Sequence, residues 1–274
     1  MTATAPTQKS LVPYGVLQPS EGRVPASKYL RSIPETSLWG RLPAPGDEPV
    51  AVIDAGEVIT VDTLSHEGIL EDQGRNPDEF FGQFGVASSG VLDDLRAIAA
   101  SDMAHDFDDD GPHVVTGPIA VRGAKPGDLL AITVLELQPR VPYGIVSSRH
   151  GFGALPGDVA EGEGPVCVYA TGGTGPDGEW GEIAFDAARG PIRFPLRPFL
   201  GIMGLVADTP ERLHSVPPGP WGGNIDISLL GVGSTFYVPV QVADAMAYFG
   251  DPHFVQGDGE IALTAFEASL RATV

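Results

Sequence analysis

The chain has 274 residues, and its 16 Lys+Arg against 36 Asp+Glu give a formal net charge of −20. A surface this acidic repels phosphate, which argues against nucleic acid or an anionic membrane as a partner. One cysteine excludes a disulfide framework or a thiolate metal cluster, and no run of about 18 apolar residues offers a membrane span.

In chain order, residues 1–10 are small and polar and lack the apolar stretch of a secretory signal. They are expected to form a flexible tail before a single cytoplasmic domain over 11–274. Leu11 to Pro49 is rich in proline and predicts a strand or two with loops between. Val50 to Val61 alternates around Ala55-Gly56-Glu57, the pattern of strand, turn and strand. Asn76-Pro77-Asp78-Glu79 supplies an N-cap, a proline at the first helical position and a glutamate at the third, so a short helix follows. Val91, Leu92, Leu95, Ile98, Ala99 and Met103 fall at helical spacing and mark a second helix. The run Asp106 to Gly111 reads as a solvated acidic loop.

Strands dominate the remainder. Ile119–Val121 and Leu129–Leu137 flank the turn Gly123 to Asp128, and Pro142 to Gly164 is expected to be a long functional loop. Within it, Gly151-Phe152-Gly153 is a candidate for shaping a pocket. Further strands are expected over Val166–Thr171, Glu182–Phe185, two within Ile192–Val206, and Phe236–Val242. A short helix is expected over Ala243–Phe249 and a closing strand over Ile261–Ala272. Many short strands with grouped rather than alternating helices define a β-rich α+β fold: layered or barrel-like sheets with a few peripheral helices.

Several chemistries fail on the residues. Cys167 lies in an apolar alternating stretch, the place of a small buried hydrophobe. No Gly-x-Ser-x-Gly elbow is present, and Lys125 sits in a Pro-Gly turn. Gly151-Phe152-Gly153 lacks the third glycine of a dinucleotide loop. Histidine with carboxylate remains. Asp251 and His253 are two apart, as are Asp258 and Glu260, and Asn224 and Asp226, so each pair shares one face of an extended chain. Such pairs suit a metal bound through nitrogen and oxygen, and equally suit turns.

Four ordered blocks decide between these readings. His113 followed by Val115 to Asp128 (VTGPIAVRGAKPGD), Pro198 to Gly204 (PFLGIMG), Gly222 to Asp226 (GGNID) and Gly250 to Glu260 (GDPHFVQGDGE) with Thr264 to Glu267 resemble the motifs of the acetamidase/formamidase family. The resemblance implies a β-rich fold, hydrolysis of a short linear amide to a carboxylate and ammonia, metal dependence and a homo-oligomer. The expected site is a divalent metal, zinc with calcium as the alternative, held by His113, Asp226 and His253, leaving one position for water. Glu260 is the expected general base, with Asp258 as a second catalytic carboxylate or a ligand. Asn224 and Gln256 are expected to bind the amide, and His66 and Glu67 to complete its surroundings. Residues 65–110 match the motifs poorly and are expected to reshape the entrance. The alternative reading is a non-catalytic acidic domain that binds calcium. It is distinguished by histidine, since calcium prefers oxygen ligands throughout.

Overall fold

A computed structural model describes residues 11–158, 162, 164–186 and 188–274. The tail expected over residues 1–10 lies outside them, as do residues 159–161 and 163 of the expected long loop.

Two α-helices, Pro77–Gly82 and Asp93–Ala100, sit among strands, so the β-rich α+β class holds. The largest sheet runs Gly190–Pro195, Gly178–Asp186, Pro165–Gly175, Tyr143–Arg149, Phe266–Glu267, Ala247–Val255, Phe199–Leu205 and Gly222–Asn224, each antiparallel to the next. Val114–Arg122 branches from Ala247–Val255 and carries Ser37–Trp39 and Ala51–Asp54. A second sheet orders Lys28–Leu30, Ile59–Asp62, Leu270–Thr273 and Glu136–Pro139, and Thr235–Pro239 pairs with Leu129–Thr133. Among the described residues, no helix is long and apolar enough to cross a membrane.

The helix signals near Asn76 act as expected: the Asn76 side chain accepts the Glu79 backbone N–H, satisfying one orphan donor of the first turn. Asp93–Ala100 buries Leu95 and Ile98. The expected helix over Ala243–Phe249 is replaced by the strand Ala247–Val255, preceded by Asp244, Ala245 and Met246 in left-handed backbone conformation. Ala and Met favour helix locally, but this strand is buried on both faces and flanked by strands, and that burial prevails. The expected long loop holds the strand Tyr143–Arg149, whose Ser147 and Ser148 are nonetheless buried. The single strand expected over Leu129–Leu137 divides between two sheets, as Leu129–Thr133 and Glu136–Pro139. The expected closing strand shortens to Phe266–Glu267 and Leu270–Thr273.

Ala247–Val255 positions the site. Phe199, Leu200, Phe254 and Phe266 around it are almost wholly buried. Each such side chain removed from water contributes roughly 1.5–3 kcal/mol, which holds the strand rigidly. Its register sets His253 opposite Phe199 on one side and Glu267 on the other. It also sets Asp251 across from Gly201.

Candidate active site

Residues distant in sequence converge at the floor of a cavity of about 890 Å³. His66 follows the strand Ile59–Asp62, His113 immediately precedes Val114–Arg122, and Asp251 and His253 lie in Ala247–Val255. His66 Nδ1 and His113 Nε2 each lie 3.8 Å from Asp251 Oδ1. That separation is too long for a hydrogen bond, yet the three donors fall within 4.8 Å of one another. His113 Nδ1 is engaged by Ser215 Oγ at 2.8 Å, which turns Nε2 toward Asp251. His66 Nδ1 and Asp251 Oδ1 are buried without a hydrogen-bond partner.

A second convergence adjoins the first. Asp226, His253 and Glu260 bring their donor atoms within 4.8 Å of one another. His253 Nε2 lies 3.0 Å from Asp251 Oδ2 and 3.1 Å from Glu267 Oε1, in ion-pair range of both but aligned for a hydrogen bond with neither. Asp226, Asp251 and Glu260 all hold positive φ, at 46°, 50° and 43°. Non-glycine residues pay for that conformation, and such outliers concentrate at functional sites.

The space for these carboxylates comes from a missing side chain. A Cβ on Gly201 would meet Asp251 Oδ2 at 2.3 Å and Asp226 Oδ1 at 2.4 Å. Glycine here is a matter of volume rather than of backbone freedom.

Burial sets the protonation states. It pushes His66 down to about 3, assisted by His113 and opposed by Asp251. It also lowers His113. Both imidazoles are therefore neutral near pH 7, the form that binds a metal. Burial also disfavours the His253 cation, but Asp251 and Glu267 outweigh it and hold His253 well above its ordinary value. Burial would raise Asp251, yet His253 and His113 pull it well below the carboxylate range. Burial and the neighbouring Asp251 raise Asp226 to about 8. Burial raises Glu260 to about 7.

The expected residues are thus partly regrouped. His113 converges with His66 and Asp251, whereas Asp226 and His253 converge with Glu260, so the expected His113–Asp226–His253 set is divided. His66 faces Asp251 directly. Glu67 lies behind it, 3.6 Å from His66 Nε2, and is held by Gln73 and Ser147. Asn224 lines the cavity with its side-chain oxygen unpartnered. Gln256 donates to the Asp226 carbonyl at 2.8 Å, away from the lining. Asp258 is exposed, and the wall nearby is formed by Glu260. Cys167 is half-buried, and burial pushes its thiol up to about 11, as suits an inert side chain. Asp251 and Glu267 were absent from the expected set. The Asp251–His253 spacing and the final family block were their signals.

The donor chemistry fits a divalent ion. Two neutral imidazoles and a carboxylate, all buried and with His66 Nδ1 and Asp251 Oδ1 unpartnered, form a nitrogen-and-oxygen set of the kind divalent ions take.

This fold and site define a β-sheet protein with a buried histidine–carboxylate centre opening into one large cavity. The sequence profile of the acetamidase/formamidase family matches residues 92–212 and 204–274, and the chain belongs to that family. Among curated proteins, it is 31% identical over 191 residues to a formamidase of Methylophilus methylotrophus, covering 54% of this chain and 47% of that protein. It is 34% identical over 200 residues to an acetamidase of Mycolicibacterium smegmatis, covering 54% and 49% respectively. The chain therefore spans about half the length of these curated relatives. The solved acetamidase of Bacillus halodurans shares the fold, with a TM-score of 0.63 at 24% identity, covering 89% of this chain and 68% of that one.

Proposed function

We propose that this chain carries the hydrolytic site of an amidase that cleaves the C–N bond of a primary amide to a carboxylate and ammonia. The observation that supports it most is the convergence of His66, His113 and Asp251 on the cavity floor. His66 Nδ1, His113 Nε2 and Asp251 Oδ1 would hold the ion, and two imidazoles favour zinc over calcium. A bound ion of this kind lowers the pKa of water and polarises a carbonyl oxygen.

The chain's own groups supply the rest. Glu260, raised to about 7, takes a proton from water and returns one to the leaving nitrogen. Asp226, raised to about 8, remains protonated at neutral pH and can donate to developing negative charge. The free side-chain oxygen of Asn224 can accept the amide N–H. His253 is a positioning residue that sets Asp251 and Glu267 in place. Glu67 packs behind the His66 imidazole, fixed there by Gln73 and Ser147.

The test is ammonia release from formamide and acetamide, with and without a strong chelator, together with metal analysis of the wild type and His66→Ala. Chelator-sensitive release and loss of the ion in His66→Ala are expected. Release that ignores the chelator would remove the metal from the mechanism, and no release from any amide by metal-loaded, folded protein would overturn the activity.

A further inference from the structure

We infer that the substrate is a neutral primary amide whose acyl group is apolar and at least ring-sized, bound along one wall of the cavity; this rests on the amidase reading above. An amide of four non-hydrogen atoms, at about 30 Å³ for each as for one water in the liquid, fills roughly 120 Å³. The cavity holds about 890 Å³, near the top of the roughly 300–1,000 Å³ range of sites for drug-sized ligands. A two-carbon amide would leave most of it to water.

Part of the cavity wall is apolar. Leu70, Phe107, Phe152, Val216 and Leu263 line it. Phe107, Phe152 and Val216 are 41%, 59% and 42% exposed, so their faces are open to a ligand in the cavity. Of the five, Leu70 lies outside the matched residues 92–212 and 204–274, whereas Phe107 lies within them. The cavity thus offers apolar surface that a larger acyl group would cover more fully than a one- or two-carbon one.

Charge sets the other limit. Among the seven carboxyl groups of the described lining residues, burial raises Asp226, Glu260 and Glu267, Asp110 is paired by Arg41 and Asp251 by His253, and the one guanidinium in the lining is that of Arg149. Arg149 is itself bound by Asp72 through two contacts of 2.6 and 3.0 Å. An acyl chain bearing a carboxylate would find that guanidinium already engaged by Asp72, whereas a neutral apolar group would exchange water for Phe107 and Phe152.

The experiment compares acetamide, benzamide, phenylacetamide and the anionic succinamate on the metal-loaded full chain. It measures ammonia release, and separately binding by calorimetry, for the wild type, Phe107→Ala and Phe152→Ala. Wild-type kcat/KM and affinity are expected to be at least about tenfold higher for the two aromatic amides than for acetamide, with succinamate poorest. Each variant is expected to lower the aromatic-to-acetamide ratio by roughly tenfold, mainly through KM. Release from acetamide equal to or better than from the aromatic amides would overturn this inference while leaving the amidase reading intact. Should no amide be cleaved, the amidase reading fails. The binding data then decide the pocket: equal or weaker affinity for the aromatic amides, or a preference that survives both substitutions, overturns the inference.

Discussion

Two groups of buried charge lie in this molecule, and they are built oppositely. Around Asp62, the fully buried Arg271 donates to Oδ1 at 2.6 Å, and Tyr29 donates to the other oxygen. The equally buried Arg140 lies 3.6 Å from Asp62 and 2.8 Å from Asp94. Two carboxylates face two guanidiniums, so the desolvation cost of each ion is offset by an opposite charge. At the cavity floor, Asp226, Asp251, Glu260 and Glu267 face three imidazoles, of which His253 alone is held in its charged form. Unpartnered oxygens remain on three of those four carboxylates, as they do on Asp94, but here three of the four residues hold positive φ. The first group closes the fold around the second sheet. The second sets two neutral imidazoles against Asp251, with lone pairs left open on His66 and Asp251, and this is the donor character of a cation site.

The comparison breaks most severely if a member of the balanced group is removed. Arg140→Met leaves Asp94 buried without its guanidinium, and a loss of about 3–5 kcal/mol is expected in urea unfolding. A cost below about 1 kcal/mol would mean that the network is dispensable. Within the cavity cluster the largest effect comes from filling space. Gly201→Ala would push a methyl against Asp251 and Asp226, costing roughly 1–3 kcal/mol and displacing both carboxylates. Metal content and amide hydrolysis should fall together. Full metal retention would show that the strand yields without disturbing Asp251.

Removing the ionisable group at Asp226 should act in the opposite direction. Asp226 has its folded-state pKa raised to about 8, above an unfolded value near 4. The folded state therefore binds the extra proton between those values. Stability from this group is fully present below about pH 4 and is lost as pH rises toward about 8. The slope is at most about 1.4 kcal/mol per pH unit, one proton's worth. Asp226→Asn should flatten that slope in metal-free protein, raise its stability at pH 8 and impair hydrolysis. An unchanged slope would show that Asp226 is ionised throughout, and with it the acid role assigned above would fail.

The extent to which this contrast was legible in sequence differs between fold and site. The β-rich class, the helix capped by Asn76 and the helix Asp93–Ala100 follow from local signals: alternation, cap chemistry and helical spacing. Ala247–Val255 does not, because burial on both faces erases alternation and leaves Ala and Met to suggest a helix. In the site, the Asp251–His253 face was readable, as local spacing survives folding. The grouping of His66 with His113 and Asp251 depends on sheet register between segments more than 40 residues apart, which no spacing encodes. Gly201 contributes by an absent side chain, so only the backbone around it reveals its role. The balanced network was unreadable for the same reason as the histidine grouping: Asp62, Asp94, Arg140 and Arg271 are ordinary charges until the fold buries them together.

The smallest effect tests whether burial, rather than charge pairing as such, separates the regions. Arg23 reaches Glu136 at 2.7 Å, with the Arg23 side chain 70% exposed. Its backbone serves differently: the Arg23 carbonyl accepts from Arg271 Nη1 at 3.4 Å, and the Glu21 carbonyl accepts from the same nitrogen at 2.5 Å. Water solvates the exposed pair almost as well as the partners do, and salt screens what remains. Arg23→Ala should therefore change stability by less than about 0.5 kcal/mol, with little dependence on salt. The carbonyl that assists the buried guanidinium is untouched by that substitution. A loss above about 1 kcal/mol would mean that the Arg23 side chain holds the Glu21–Arg23 backbone against Arg271, and the balanced network would then extend to the surface.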